Sequence, residues 1–213
     1  DSRLYDWFSA YAHLVEQKFN AGEHRHGVLA WVLALSPFVL VVALVSMLLT
    51  SLNGLMGWLW SVIALYLLIE LGTLRQNAAA LVSALRTQQL DQARLLLGQW
   101  MGRDSSAFSV TEVARSGIEK ILVTAYRNLF GVVLWFMLLG PAGALLYRLA
   151  EILAHKWGGL NDQEFGNFGH FAARAFAWME WLPARLTAIS FAIVGDFEDA
   201  MYCWRSQAKQ WME

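Results

Sequence analysis

The sequence predicts an all-α fold, a polytopic helical membrane protein with a cytoplasmic amphipathic helical segment, and three observations carry that expectation. Of 213 residues, 57% are hydrophobic and only 15% charged, with a mean hydropathy of +0.40. Soluble domains hold roughly 45 to 50% apolar and about 25% charged residues, so the surplus of Leu, Ala and Trp must face something other than water. Second, Val28 to Thr50 runs for 23 residues without a charge, and a helix rising about 1.5 Å per residue needs roughly 20 to cross the hydrocarbon. Third, an arginine-rich stretch separates this apolar block from another, the charge asymmetry expected of a cytoplasmic loop between spans.

The elements follow in order within one helical membrane domain, 1–213. Residues 1–27 form an amphipathic lead-in, with Leu4, Trp7, Phe8, Tyr11, Leu14, Val15 and Phe19 at helical spacing, expected along the membrane or against a partner. No basic stretch followed by an apolar run opens the chain, which predicts no signal peptide. Residues 28–72 read as a transmembrane hairpin. Pro37 should kink its first helix, since proline lacks an N–H and clashes with the preceding turn, with Ser36 re-satisfying freed groups. Ser51 to Gly54 makes the turn, and Leu55 to Ile69 the shorter return.

Residues 73–117 are the cytoplasmic basic segment, in which Arg75, Arg86, Arg94, Arg103 and Arg115 outnumber Asp91, Asp104 and Glu112. Two short helices are expected there, the second capped by Asp91 and stopped by Gly102. Residues 118–213 hold broken hydrophobic helices and an amphipathic tail. Gly140-Pro141 interrupts the first block, which is either one kinked span or two half-helices that dip in and return. After a Gly/Asn loop over 157–170, the block from Phe171 to Val194 carries Arg174, Glu180, Arg185 and Pro183, and is expected as a partly buried or interfacial helix pair.

Composition and motifs exclude several functions. A net charge of −1 argues against a strongly basic nucleic-acid binder, and the single cysteine, Cys203, allows neither an internal disulfide nor a cysteine-based zinc site. The phosphate-loop, zincin, hydrolase-elbow and dinucleotide signatures are absent. His24 and His26 fall on different sides of a helix and the other histidines are scattered, so no metal site is expected.

The candidates that remain are ionic. Gly102-Arg103-Asp104 follows a basic amphipathic helix and can present a guanidinium fork to a phosphate or carboxylate, or be a plain surface turn with Asp104 as cap. Arg94 adds a second cation or pairs with Asp91 three residues away. Arg115 and Glu119 stand four apart at the mouth of the second hydrophobic block, an ion pair on the simplest reading. Arg127 lies deeper and needs a carboxylate, a wet pocket or snorkelling. Arg148 and Glu151 are expected to pair, and Arg185 follows Pro183 as an anion holder or a solvated side chain.

The order of these clusters resembles a known family. Leu90-Asp91-Gln92-Ala93-Arg94, Gly102-Arg103-Asp104, Arg115 with Glu119, the run from Leu139 to Arg148 (LGPAGALLYR), Phe165-Gly166, Ala173-Arg174 and Leu182 to Leu186 (LPARL) together resemble the CobD/CbiB family of membrane proteins over roughly residues 80–190. The resemblance implies a multi-pass protein of the bacterial cytoplasmic (inner) membrane. Its enzymatic branch, cobinamide-phosphate synthase, uses ATP to join an aminopropanol (phosphate) to the corrinoid carboxyl group. The chain departs from that branch at Val123-Thr124, Arg127, Glu151 to His155 and Phe176-Ala177, where the enzymes carry Glu-Asn, Asp, Asn-Thr-Leu-Asp-Ser and Asp-Asp. Asn128 to Arg148 and Trp178 to Ala200 also look like the AmpE branch of regulatory membrane proteins.

The resemblance therefore implies a divergent, non-catalytic protein of CobD/CbiB-AmpE type, regulatory or accessory. It would bind an anionic ligand through Arg94, Gly102, Arg103, Asp104, Arg115, Glu119 and Arg185, with no catalytic residue, cofactor or metal. Its expected partners are the lipid bilayer and another membrane protein, with no nucleic acid. The alternatives are an active cobinamide-phosphate synthase using ATP and magnesium, with Glu70, Asp104, Glu119 and Asp196 as carboxylates, and a structural subunit of a larger membrane complex. Family resemblance also implies an upstream apolar helix outside these 213 residues.

Overall fold

A computed structural model describes residues 8–15, 24–69, 72–158 and 168–194, and among these the secondary structure is helical with no strand. The helices are α1 (8–15), α2 (His24–Leu52), α3 (Gly54–Leu68), α4 (Gly72–Arg86), α5 (Leu90–Met101), α6 (Val110–Ala125), α7 (Val132–Gly158) and α8 (Phe168–Val194), with a π-helical turn, Tyr126–Gly131, joining α6 to α7.

These elements bury two separate cores. The larger gathers Phe8 and Ala12 of α1, Ala30, Ala34 and Leu35 of α2, Leu68 of α3, Tyr147, Leu149, Leu153 and Trp157 of α7, and Ala172 and Phe176 of α8. The smaller holds Leu81 and Ala84 of α4, Ala93 and Leu97 of α5 and Val113 of α6. Around the larger core the apolar surface is turned outward: Leu44, Met47, Leu48 and Leu52 on α2, and Leu55, Trp58, Tyr66 and Leu67 on α3, are all exposed. So broad an apolar face is unsuited to water. Three helical stretches, beginning at Gly27, Gly54 and Val110, are long and apolar enough to cross a membrane, and the protein is a helical membrane protein.

Local chemistry explains the boundaries. Asn53 ends α2 in an extended conformation, and its side-chain oxygen accepts from Leu55 N–H at 2.9 Å to start α3. Gly57 lets the return helix close on α2, since a Cβ there would meet Thr50 Oγ1 at 2.5 Å. Trp60 Nε1 donates to Ser46 Oγ at 2.9 Å across the same pair. Gly102 ends α5 with φ 69° and ψ 23°, the left-handed conformation glycine adopts without penalty, and its N–H bonds Gly98 O at 2.9 Å. Ser109 and Glu112 form a complete capping box at the start of α6.

In α7 the backbone breaks at Gly140 (φ 66°, ψ −156°). The turn brings Gly143 against the carbonyl oxygen of Trp135, eight residues earlier, where a side chain could not fit. A straight helix would separate such residues by about 12 Å along its axis, so the chain folds sharply back between 132–139 and 141–158.

Several expectations need correction. The described part of the lead-in packs on its own chain: Phe8 is fully buried, and Phe38 meets both Phe8 and Tyr11 edge to face, at 5.7 and 5.2 Å. Leu4, Trp7 and Phe19 lie outside the described residues. α2 is assigned as one 29-residue helix with Pro37 inside it, and Ala34 and Leu35 in the preceding turn are buried in the larger core. Asp91 lies inside the first turn of α5, Gln89 taking the cap position without a side-chain bond.

The 168–194 region is one helix, not a pair, and Pro183 is in its interior rather than at a start. Proline deprives Met179 of the amide donor four residues on. The indole Nε1 of Trp135 supplies a donor instead, at 3.2 Å from Met179 O.

Candidate functional site

Of the residues singled out from sequence, Arg94, Gly102, Arg103 and Asp104 meet in one structure, the loop between α5 and α6. Arg94 is its tie. Its Nε donates to Phe108 O at 2.7 Å and its Nη1 to Asp91 Oδ1 at 3.1 Å, while Ser105 Oγ donates to Arg94 O at 2.6 Å. Ser105 is buried. The loop can lie this close because residue 98 is glycine: a Cβ there would meet Ser105 Oγ at 2.8 Å and Arg103 O at 3.2 Å.

With Arg94 committed inward, Arg103 is the cation the loop shows to solvent. It is exposed, with its guanidinium 5.8 Å from the centre of the Phe108 ring. Asp104 does not oppose it. Its carboxylate accepts from Ser106 N–H and Ser106 Oγ, both at 2.9 Å, and these bonds hold its pKa below the ordinary carboxylate value.

The other predicted residues stand apart. Arg115 and Glu119 form an exposed pair at 3.2 Å on α6. Arg185 is on α8, which packs against α2, α7 and the π turn, whereas α5 packs against α4 and α6. Its guanidinium lies 3.8 Å from the centre of the Trp181 ring, one turn back, a cation–π contact. A single ligand site spanning all seven residues is therefore not assembled by the described structure.

A second cluster forms inside the bundle at the π turn, and sequence reasoning saw only part of it. The wider turn puts Tyr126, Arg127 and Asn128 in succession toward α7 and α8. Arg127 meets Glu180 through both carboxylate oxygens, Nη2 to Oε2 being 3.1 Å, and Tyr126 donates its hydroxyl to the same carboxylate. Arg148 Nη1 donates to Asn128 Oδ1 and to Glu151 Oε2, each at 2.7 Å. Arg127 lies over the Phe176 ring at 5.8 Å. Side chains of Arg148 and Glu151 are only 11% and 12% exposed.

The Arg148–Glu151 pair was legible from its spacing. Glu180 as the partner of Arg127 was not, because it lies 53 residues away on another helix. The signals present were an arginine deep in an apolar run and an unexplained glutamate in the last block; a π turn, frequent at functional sites, leaves no comparable mark in a sequence.

Among the described residues no group of three or more His, Cys, Asp or Glu side chains is placed to hold a metal ion. Glu119, Glu151 and Glu180 each face an arginine. Glu70 and Asp196 lie outside the described residues.

Comparison with known proteins places this geometry. The family described as CobD/Cbib protein matches residues 3–213. The chain is 36% identical to the cobalamin biosynthesis protein CobD of Stutzerimonas stutzeri over 96% of its own length and 67% of that protein's. For the protein of the same name from Chromobacterium violaceum the figures are 35%, 87% and 57%, and for that from Yersinia enterocolitica 27%, 74% and 51%. The chain thus spans about half to two thirds of the length of these relatives. No solved structure matches.

Proposed function

The chain belongs to the CobD/CbiB family, and from that premise we propose that it works in cobalamin biosynthesis as a membrane component of the cobinamide-phosphate synthase type. The observation that carries this reading is the 36% identity to a cobalamin biosynthesis protein across nearly the whole chain. The names borne by the relatives move the weight from the AmpE-type regulatory reading to the biosynthetic one. In this proposal the protein sits in the bacterial inner membrane with several passes, and the α4–α6 unit faces the cytoplasm. Exposed Arg75, Arg86 and Arg103 support that orientation by the positive-inside rule. Its partners are the bilayer and a second membrane protein.

A second reading, a non-catalytic accessory member of the same family, is favoured by one structural observation. Glu180 and Glu151 are neutralised by Arg127 and Arg148, so these carboxylates are engaged within the protein rather than offered to a cation or an amine.

Complementation separates the two. Expression in a strain lacking the synthase, with membrane insertion verified, is expected to restore corrinoid-dependent growth. Insertion without rescue would overturn the synthase reading and leave the accessory one, to be followed by copurification of the partner.

A further inference from the structure

The uncharged run from Asn128 to Tyr147 is 20 residues long and is bounded by Arg127 and Arg148. Drawn out as one helix it would rise about 30 Å, enough to cross the hydrocarbon. The structure folds it in two instead. Gly143 lies against the carbonyl oxygen of Trp135, Gly131 lies against the ring of Tyr147, and Asn128 Oδ1 accepts from Arg148 Nη1 at 2.7 Å. These three contacts keep one antiparallel register, so the two arms lie side by side from the break at Gly140 down to the arginines. Each arm holds about ten residues and rises about 15 Å, half of what a crossing needs.

The chemistry of the turn agrees with that depth. Between α2 and α3 the chain turns through Thr50, Ser51 and Asn53, polar residues suited to water. Leu138-Leu139-Gly140-Pro141-Ala142-Gly143 offers no polar side chain, and Met137, Leu138 and Leu139 are exposed. Irregular backbone in hydrocarbon is costly where it leaves amides unpaired. Here the residue after the break is a buried proline, which has no amide to leave.

The direction of the hairpin follows from its neighbours. At its open end Trp157 and Gly158 lie against Gly169 and Ala173 of α8, and Trp31, near the start of α2, meets Phe171 edge to face at 5.7 Å. The contacts of Trp60 with Ser46 and of Gly57 with Thr50 set α3 antiparallel to α2, and α3 is followed by the α4–α6 unit from Gly72. The start of α2, the end of α3, the unit and the open end of the hairpin thus share one side. The turn at Asn53 is on the other.

We propose that the third apolar stretch does not cross the membrane. It enters from the side of the α4–α6 unit, turns at Gly140-Pro141 within the hydrocarbon, with Met137, Leu138 and Leu139 against the acyl chains of the lipid, and returns to the side it came from. The Arg127–Glu180 and Arg148–Glu151 pairs then stand at the mouth of the hairpin, which makes the unit's side the one from which a polar group engages them. The inference rests on the helical membrane character of the chain and not on the biosynthetic reading, so neither outcome of complementation bears on it.

The test is labelling of single cysteines with a membrane-impermeant maleimide, added to right-side-out and to inverted sealed vesicles, in the full chain carrying Cys203→Ser. Thr111→Cys at the start of α6, His155→Cys near the end of α7 and Ser51→Cys beside the α2–α3 turn all replace exposed residues. Thr111→Cys and His155→Cys should react from one side and Ser51→Cys from the other. Met137→Cys should react from neither until the membrane is dissolved and the protein denatured.

Reaction of His155→Cys on the side of Ser51→Cys makes the stretch a span and overturns the proposal. Reaction of Met137→Cys in sealed vesicles, from either side, puts the tip in water and overturns it as well. So does protection of His155→Cys from both sides, which places the returning end in the lipid, or reaction of Ser51→Cys on the side of Thr111→Cys. Leu138→Cys repeats the tip measurement where Met137→Cys fails to insert.

Discussion

The α4–α6 unit and the helical bundle treat charge in opposite ways. In the unit, the ion pairs are local: an exposed Asp91 with the inward Arg94 three residues on, and Arg115 with Glu119, both exposed, four on. In the bundle, Arg127 reaches a carboxylate 53 residues away, and its partner Glu180 is only 15% exposed. The unit is held by apolar contacts among Leu81, Leu97 and Val113, with polar groups settling its caps and loop. The bundle spends ionic groups on joining helices. Exposed charges such as Arg115 and Glu119 are screened more than the part-buried Arg127–Glu180 and Arg148–Glu151 pairs, so the same residue types constrain the fold weakly in one region and strongly in the other.

The sharpest way to break this comparison is to remove one side of the bundle pair. Arg127→Ala should destabilise the protein by about 3 kcal/mol, the lower part of the range for stranding a buried charge, because Arg127 is itself about a quarter exposed. Replacing both partners, Arg127→Met with Glu180→Leu, should recover most of that loss. Thermal unfolding in detergent checks both, and a single variant as stable as the parent would show that the pair holds nothing.

Leu97→Ala removes a fully buried side chain from the smaller core. It should cost about 2 to 3 kcal/mol, confined to the unit. Hydrogen exchange is expected to rise over 90–101 while 141–158 stays protected. Equal loss in both regions would mean that the two cores unfold as one.

Ser109→Ala dismantles the capping box of α6 and should cost about 1 kcal/mol, seen as faster exchange in the first turn of that helix. Smaller still is the acid sensitivity of the α5–α6 loop. Asp104 has a depressed pKa in the folded state because Ser106 donates two bonds to it. Its contribution is therefore present above the unfolded value of about 3.9 and is lost as pH falls through the folded value. Amide exchange at Ser106 should accelerate only in that acid range, and Asp104→Asn should flatten the profile. Arg115→Ala, at an exposed pair, should change stability by no more than about 0.5 kcal/mol; a large effect there would erase the distinction between the two regions.

Parts of the candidate site were legible because their chemistry is local. Gly102 as the stop of α5, the Arg94–Asp91 and Arg148–Glu151 pairs, and the break at Gly140 all follow from residues within a turn or two of one another. The inward role of Arg94 was not, since it depends on Phe108 and Ser105 folding back over α5. For Arg185 the spacing leaves an anion holder and a solvated side chain equally open, and the structure adds that the helix runs through Pro183 and that the guanidinium lies 3.8 Å from the centre of the Trp181 ring. Residue preference near a helix start is a poor guide when a neighbouring side chain, here Trp135, repairs what proline removes.

What the sequence by itself determined is the solvent of each segment and the hand of each local contact. Apolar run length sets which stretches belong in a bilayer, the arginine excess sets which unit faces the cytoplasm in our proposal, and i, i+3 or i, i+4 spacing sets which charges can pair along a helix. The tertiary structure alone decided that Arg127 answers Glu180, that the π turn seats Tyr147 against Gly131, and that Arg94 is structural while Arg103 is free to act. The physical reason is that these outcomes depend on how helices distant in the chain approach one another, and the approach is governed by glycines and packed rings whose partners no spacing rule identifies.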